Sequence, residues 1–342
     1  VSEWPHSTVL ERRAEAVAPA RLDPRRLARV ERAPASLDGQ PTTRLILTFR
    51  AIGCAYGRRP EGGCTMCGFA PMTTGGDPVA ATDLITQFEQ AISTPGALDG
   101  VGEVDLYNSG SFLADEEFPP EARAHVLRRL GDTAVRRVLI ESRPEHVHAD
   151  EVAAARAALG PRELEVGMGL ESADDRVREV LINKGFGRAE FERAVAVLGE
   201  AGARLLAYVM VKPMGLTERE AIEDAVATAR YVFDVAAEHG VAARAALEPS
   251  FVPPGTSLER ALLAGRYQPP SLWSVVEIVR RVHAAGELLV GLGDEGLSPT
   301  CAPSGCERCT PALRAALAEY NHTRDLRALQ ALDFGCCHVE YR

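Results

Sequence analysis

Arg44-Leu-Ile-Leu-Thr-Phe49 runs into Arg50-Ala-Ile-Gly-Cys54-Ala-Tyr-Gly-Arg-Arg-Pro-Glu-Gly-Gly-Cys64-Thr-Met-Cys67-Gly-Phe69, an apolar β-type run that empties into a long Gly-rich loop with three thiols. Outward from this stretch, from about residue 43, apolar β-type runs alternate with amphipathic helical patterns, the signature of a parallel sheet covered by helices. Strands are expected at Arg44–Phe49, Val104–Tyr107, Arg137–Glu141, Leu164–Gly169, Leu205–Val211 and Ala242–Leu247. Helices are expected at Thr82–Ile92, Pro120–Leu130, Asp150–Leu159, Arg188–Ala201, Thr217–Glu238 and Ser271–Ala285. Several of them stop at a glycine, as helix C-caps do. Six β/α units are too few to close an eight-stranded barrel and suit an α/β fold with a partial (β/α)6 TIM-like barrel. In such folds chemistry gathers at the C-terminal ends of the strands, and the three-thiol loop follows the first of them. The domain reading is an N-terminal extension over 1–40, the partial barrel over 41–286 and a Cys-rich C-terminal segment over 287–342.

Composition narrows the function classes. The 342-residue chain is 46% hydrophobic, enough for a large core, and no stretch approaches ~18 uninterrupted apolar residues, so no segment is expected to span a bilayer. The net charge of -10 and a pI near 5.4 argue against a broad phosphate-binding surface. Arginines 12, 13, 21, 25, 26, 29 and 32 are interleaved with acids and read as a solvated helix face rather than a nucleic-acid arm. Eight cysteines fall in two groups, Cys54, Cys64 and Cys67 early, and Cys301, Cys306, Cys309, Cys336 and Cys337 late. A chain of this size needs no disulfide scaffold, so metal or cluster ligation in a reducing, cytoplasmic compartment is the expectation.

Three thiolates on a four-iron cluster leave one iron without a protein ligand, and that iron can chelate the amino and carboxylate groups of S-adenosylmethionine. A zinc site is the rival, but structural zinc wants four ligands, usually as two knuckles of a small β unit. Three ligands on one long loop leaving a barrel strand favour the 4Fe-4S cluster. The loop resembles that of the radical S-adenosylmethionine subunit of archaeosine synthase in reading Gly-Gly-Cys-x-Met-Cys-Gly-aromatic, and more distantly that of the elongator catalytic subunit. The resemblance continues through Asn108-Ser-Gly-Ser-Phe-Leu113, Glu141-Ser-Arg-Pro144, Gly169-Leu-Glu-Ser172, Ile182-Asn-Lys-Gly185, Tyr208–Pro213 and Gly265–Trp273, over roughly residues 43 to 310.

By that resemblance, Ser109, Gly110 and Ser111 receive the methionine amino group of the cofactor, and Phe69 packs near its adenine. Glu141, Arg143 and Glu171 stand at the functional rim, and Lys184 meets the cofactor carboxylate. Tyr208, Lys212 and Glu248 finish strands five and six and are expected to line the substrate side as catalytic residues. Lys212, a charge directly after an apolar run, asks for a buried partner such as a substrate carboxylate or phosphate. The implied activity is hydrogen abstraction by a 5'-deoxyadenosyl radical, followed by carbon–nitrogen cleavage of a lysine-type adduct of a 7-deazaguanine to leave an amidine, a lyase reaction. A modified nucleoside in tRNA is the substrate that the resemblance implies. The acidic charge favours a small metabolite or natural product handled by the same chemistry. A flavodoxin- or ferredoxin-type electron donor is implied as partner. The late cysteines are expected to hold a second metal site, a zinc ion or an auxiliary iron–sulfur cluster. The reading from another class is a zinc-stabilised binding protein without radical chemistry.

Overall fold

The six apolar runs become the middle of one sheet. The computed structural model describes residues 23–59 and 62–332. Within them lie β1 (Arg29–Leu37), β2 (Gln40–Thr48), β3 (Val101–Tyr107), β4 (Arg137–Glu141), β5 (Glu163–Glu171), β6 (Arg204–Val211), β7 (Ala243–Pro249) and β8 (Glu287–Val290). They are hydrogen-bonded in chain order from β1 to β8, antiparallel between the first two and parallel thereafter. The sheet curls into an open partial barrel with helices on its outer face, the fold class that the alternation predicts. No helix among the described residues is long and apolar enough to cross a membrane.

Two strands are additions to the sequence reading. β1 falls where a solvated helix face was expected, so Arg29 and Arg32 are strand residues. It is an edge strand with alternating partly buried and exposed positions, and its polar face mimics the composition of a solvated helix. Residues 12, 13 and 21 lie outside the described residues. β8 is four residues long, too short for its apolar run to stand out. Helix boundaries follow local chemistry. Pro120 opens the helix Pro120–Gly131, Thr217 and Glu220 form a reciprocal capping box on Glu218–Glu238, and Gly202 in the left-handed region ends Arg188–Ala201.

The main core lies between sheet and helices. A separate small cluster, Leu139, Leu206 and Ala246 with Tyr107, Tyr208 and Leu289, fills the inner side of the curled sheet. Below it the inward positions carry a buried ionic floor. Arg244 donates to Glu165 Oε1 at 3.0 Å and Glu103 Oε1 at 2.9 Å, and Arg137 donates to Glu163 at 2.8 Å. Above it, at the C-terminal strand ends, lies the rim.

Candidate functional site

The rim is assembled by hydrogen bonds between loops that are distant in sequence. Cys54 follows β2, its N–H donates to Ser109 O at 3.0 Å, and its sulfur caps the helical turn Ala55–Arg58 by accepting from Gly57 N at 3.4 Å. The buried Glu117 carboxylate ties two loops together, accepting from Ala55 N at 2.6 Å and from Ser111 N. A Cβ on Gly110 would collide with that carboxylate and crowd Cys54 N, so the turn requires a residue without a side chain.

A second set of contacts staples the cysteine loop to the segment after β5. Thr65 N and Oγ1 each donate at 2.9 Å, to Ile182 O and Leu181 O, and Asn183 Nδ2 donates to Gly63 O at 2.9 Å. Tyr56 OH donates to Asn183 O at 3.0 Å. Arg143 lays its guanidinium 4.3 Å from the centre of the Tyr56 ring and donates to Lys184 O at 2.9 Å. Lys184, itself buried, pairs with Glu171 at 2.8 Å. Ser109, Glu171, Asn183 and Lys212 all adopt positive φ, between 53 and 65°. Non-glycine residues in that region are uncommon, and here they gather at one end of the barrel.

Ahead of metal binding, burial works against the thiolates, and two neighbouring cations oppose it. Burial raises the Cys64 thiol above its ordinary value, with Lys184 and Arg143 pulling it back, and burial together with Glu117 raises Cys54. Cys64 senses Cys67, and Cys54 senses Cys64, so the three thiols face one region. Beside them, both amide atoms of fully buried Asn108 and the Ser109 hydroxyl have no hydrogen-bond partner among the described residues. Three thiols, two neighbouring cations and orphaned polar atoms fit an iron–sulfur cluster with an open corner and a polar ligand upon it.

Compared with known proteins, the chain is 32% identical over 302 residues to archaeosine synthase subunit beta of Methanosarcina acetivorans, covering 88% of this chain and 84% of that protein. The chain belongs to the archaeosine synthase subunit beta family of radical S-adenosylmethionine enzymes. The Thermococcus kodakarensis subunit beta is 31% identical, over 70% of this chain and 72% of that protein. Among solved structures, Elp3 of Methanocaldococcus infernus superposes with a TM-score of 0.49 at 14% identity, over 72% of this chain and 59% of that one. No family profile matches the chain. Membership of this radical-enzyme family displaces the reading as a non-catalytic zinc-stabilised binding protein.

In this archaeosine synthase beta relative, the other sequence-expected residues sit as follows. Phe69 is partly buried and heads the short turn Ala70–Met72. Glu141, Tyr208 and Glu248 face the inner chamber from the ends of β4, β6 and β7. Burial pushes Glu141 up to about 7, with Tyr208 opposing and Glu295 reinforcing the shift. Burial, Glu295 and Glu171 hold Glu248 well above the usual carboxylate range. The Tyr208 hydroxyl lies near Glu141 and Tyr107 with no well-formed hydrogen bond to a described residue. A Cβ on Gly291 would overlap the Glu248 carboxylate, and one on Gly167 would crowd Tyr208 OH, so glycines clear room for these groups. Lys212 finds its partner within the chain, Glu218 at 2.5 Å, which also accepts from Ser274 Oγ at 2.6 Å.

Sequence reasoning missed Glu117, Asn183 and Arg178. Arg178 is fully buried and donates to Phe186 O at 3.0 Å and Ser172 O at 3.2 Å, thereby shaping the loop that presents Lys184. Asn183 lay inside a quoted motif without being singled out. Nothing in the run Asp115-Glu-Glu117 marks which acid turns inward.

The late cysteines divide. Cys306 and Cys309 bring their sulfurs to 3.6 Å at the start of the helix Thr310–Thr323. Cys301 bridges to Val252 and packs in the cluster that includes Val252 and Tyr267. Cys336 and Cys337 lie outside the described residues.

Proposed function

We propose that this enzyme cleaves a carbon–nitrogen bond in a lysine-type adduct of a 7-deazaguanine, leaving an amidine. The observation that carries the proposal is a three-thiol loop, tied down by Arg143 and Asn183, together with two inward carboxylates, Glu141 and Glu248, that form no ion pair with a described residue. When bound, the 4Fe-4S cluster and S-adenosylmethionine supply the 5'-deoxyadenosyl radical that abstracts hydrogen from carbon. Cys54, Cys64 and Cys67 hold the cluster. Lys184 and Arg143 offer positive charge to the cofactor carboxylate, and Ser109, Gly110 and Ser111, with the orphaned Asn108 amide, surround its amino-acid end. Phe69 supplies an apolar neighbour for adenine, and Glu171 keeps Lys184 in place.

The chamber suits a cationic substrate. Neither Glu141 nor Glu248 forms an ion pair with a described residue, so an ammonium of the lysine portion can settle between them while Tyr208 OH hydrogen-bonds to it. Lys212, locked to Glu218, acts by holding the chamber wall rather than by touching substrate. A flavodoxin or ferredoxin supplies electrons. Net charge favours a free nucleoside or small natural product over tRNA. Residues 41–286 form the catalytic unit, with the flanking segments contributing β1 and β8, and the C-terminal cysteines form a second centre, zinc or an auxiliary cluster.

Anaerobic enzyme with dithionite and the lysine adduct, given once as the free nucleoside and once within tRNA, should release 5'-deoxyadenosine together with the amidine, detected by mass. Nucleoside release without amidine from either form would end the lyase reading and leave the radical one standing.

A further inference from the structure

Beside the chamber, at the C-terminal ends of β7 and β8, lies a cavity of about 340 Å³. Phe251, Leu272, Leu292 and Pro303 give it apolar walls, which suit a methylene chain. Backbone pairing fixes those walls. Val252 N donates to Cys301 O at 2.8 Å, Thr300 N to Val252 O at 2.9 Å, and Leu272 N to Ser304 O at 3.0 Å, so the segment 299–303 is held between the chain leaving β7 and the start of the helix Leu272–Val282.

Among the described residues that line the cavity, the cation is Arg314 and the acid is Asp294. Asp294 is exposed and occupied by its own turn, its Oδ1 accepting from Gly296 N at 2.9 Å. Arg314 is partly buried on the helix Thr310–Thr323, where its Nη1 donates to Leu292 O at 3.1 Å, and it forms no ion pair with a described residue. The residue before Leu292 joins the two spaces. Gly291 lines this cavity, and a Cβ on it would overlap the Glu248 carboxylate on the chamber side. Bare backbone is therefore what separates Glu248 from the cavity, and Arg314 is anchored one residue further on. A carboxylate and a guanidinium, neither of them in an ion pair with a described residue, thus flank a single glycine. That is the complement of an α-amino acid, whose ammonium and carboxylate share one carbon. The lysines first expected to meet carboxylates are engaged within the chain, Lys212 with Glu218 and Lys184 with Glu171.

We propose that this cavity takes the amino-acid end of the substrate's lysine portion, with the α-carboxylate on Arg314 and the α-ammonium on Glu248. Arg314 is then the residue that selects a carboxylate-bearing arm. The proposal rests on the lysine-adduct reading of the chamber and adds the group that recognises the far end of the arm.

The test is calorimetric titration of the anaerobic holoenzyme with S-adenosylmethionine present and dithionite omitted, so that no turnover occurs. Two free nucleosides are compared, the lysine adduct of the 7-deazaguanine and its cadaverine counterpart, which lacks only the carboxylate. Wild-type enzyme should bind the lysine adduct roughly tenfold to hundredfold more tightly, and Arg314→Gln should erase that preference while leaving the cadaverine adduct unaffected. Should Arg314→Gln fail to fold, the wild-type comparison decides alone. The proposal is overturned by wild-type enzyme that binds both adducts equally, or by Arg314→Gln weakening both alike. It is also overturned if a 5'-phosphate on the cadaverine adduct restores tight binding through Arg314, which would give the cavity to a nucleotide phosphate. A preference for the lysine adduct that depends on Arg314, with no amidine formed once dithionite is added, would count against the lyase reading alone.

Discussion

The floor and the rim of the barrel use the same residue types to opposite ends. At the floor, Arg137, Arg244, Glu103 and Glu165 are almost fully buried and form ion pairs with one another. Asp105 and Glu103 are the exceptions, each with one oxygen that lacks a hydrogen-bond partner among the described residues, and burial and Glu103 hold the Asp105 carboxyl well above the ordinary range. At the rim, among the described residues, Glu141 and Glu248 form no ion pair, the Asn108 amide has no hydrogen-bond partner, and the backbone bends into positive φ at Ser109, Glu171 and Lys212. Charges that complete one another hold a fold in register, whereas charges left incomplete await a ligand.

The largest test of this contrast removes a rim thiol. Cys64→Ala should abolish 5'-deoxyadenosine release and strip the visible iron–sulfur absorption while the chain still unfolds cooperatively; undiminished release would take Cys64 off the ligand list. At the floor, Arg244→Met takes the nearest cation from buried Glu103 and Glu165 and should cost about 3–5 kcal/mol in urea unfolding, with S-adenosylmethionine affinity per folded molecule unchanged. Weak binding with intact stability would invert the comparison. Lys184→Gln removes a charged donor at the rim and should weaken S-adenosylmethionine roughly tenfold to hundredfold by calorimetry.

The smallest effect concerns pH. Glu141 is raised to about 7 in the folded chain, so the folded state binds the proton more tightly than the unfolded state does. Stability contributed by this group is present at low pH and falls as pH rises from the unfolded carboxylate range near ~4.3 through about 7. Glu141→Gln should flatten that fall by on the order of 2 kcal/mol between pH 5 and 8, after discounting for partial exposure. An unchanged slope would place the titration elsewhere.

Much of the architecture was legible because a parallel sheet buries both faces and its strands read as apolar runs, as in Val138-Leu-Ile140. β1 was hidden because an antiparallel edge strand is half polar, and β8 because four residues carry little pattern. The cysteine loop was readable from spacing, and the structure gathers its three thiols together with Arg143 and Lys184. The braces were not readable. Glu117 and Arg178 look like surface charges until the chain folds over them, and the partner of Lys212 is another side chain of the protein, which no local pattern discloses.

Among the described residues no ladder joins β1 to β8, so the sheet stays open there. The helix Thr310–Thr323 packs against both β1 and β8, and a cavity of about 260 Å³ lies between Ser36 on one side and Glu287 on the other, beside Tyr320 and Arg324 of this helical corner. Its girth is therefore set by a wedge rather than by a ladder of backbone bonds. Swapping bulk on that wedge should therefore change the spacing between β1 and β8 while every paired strand keeps its register.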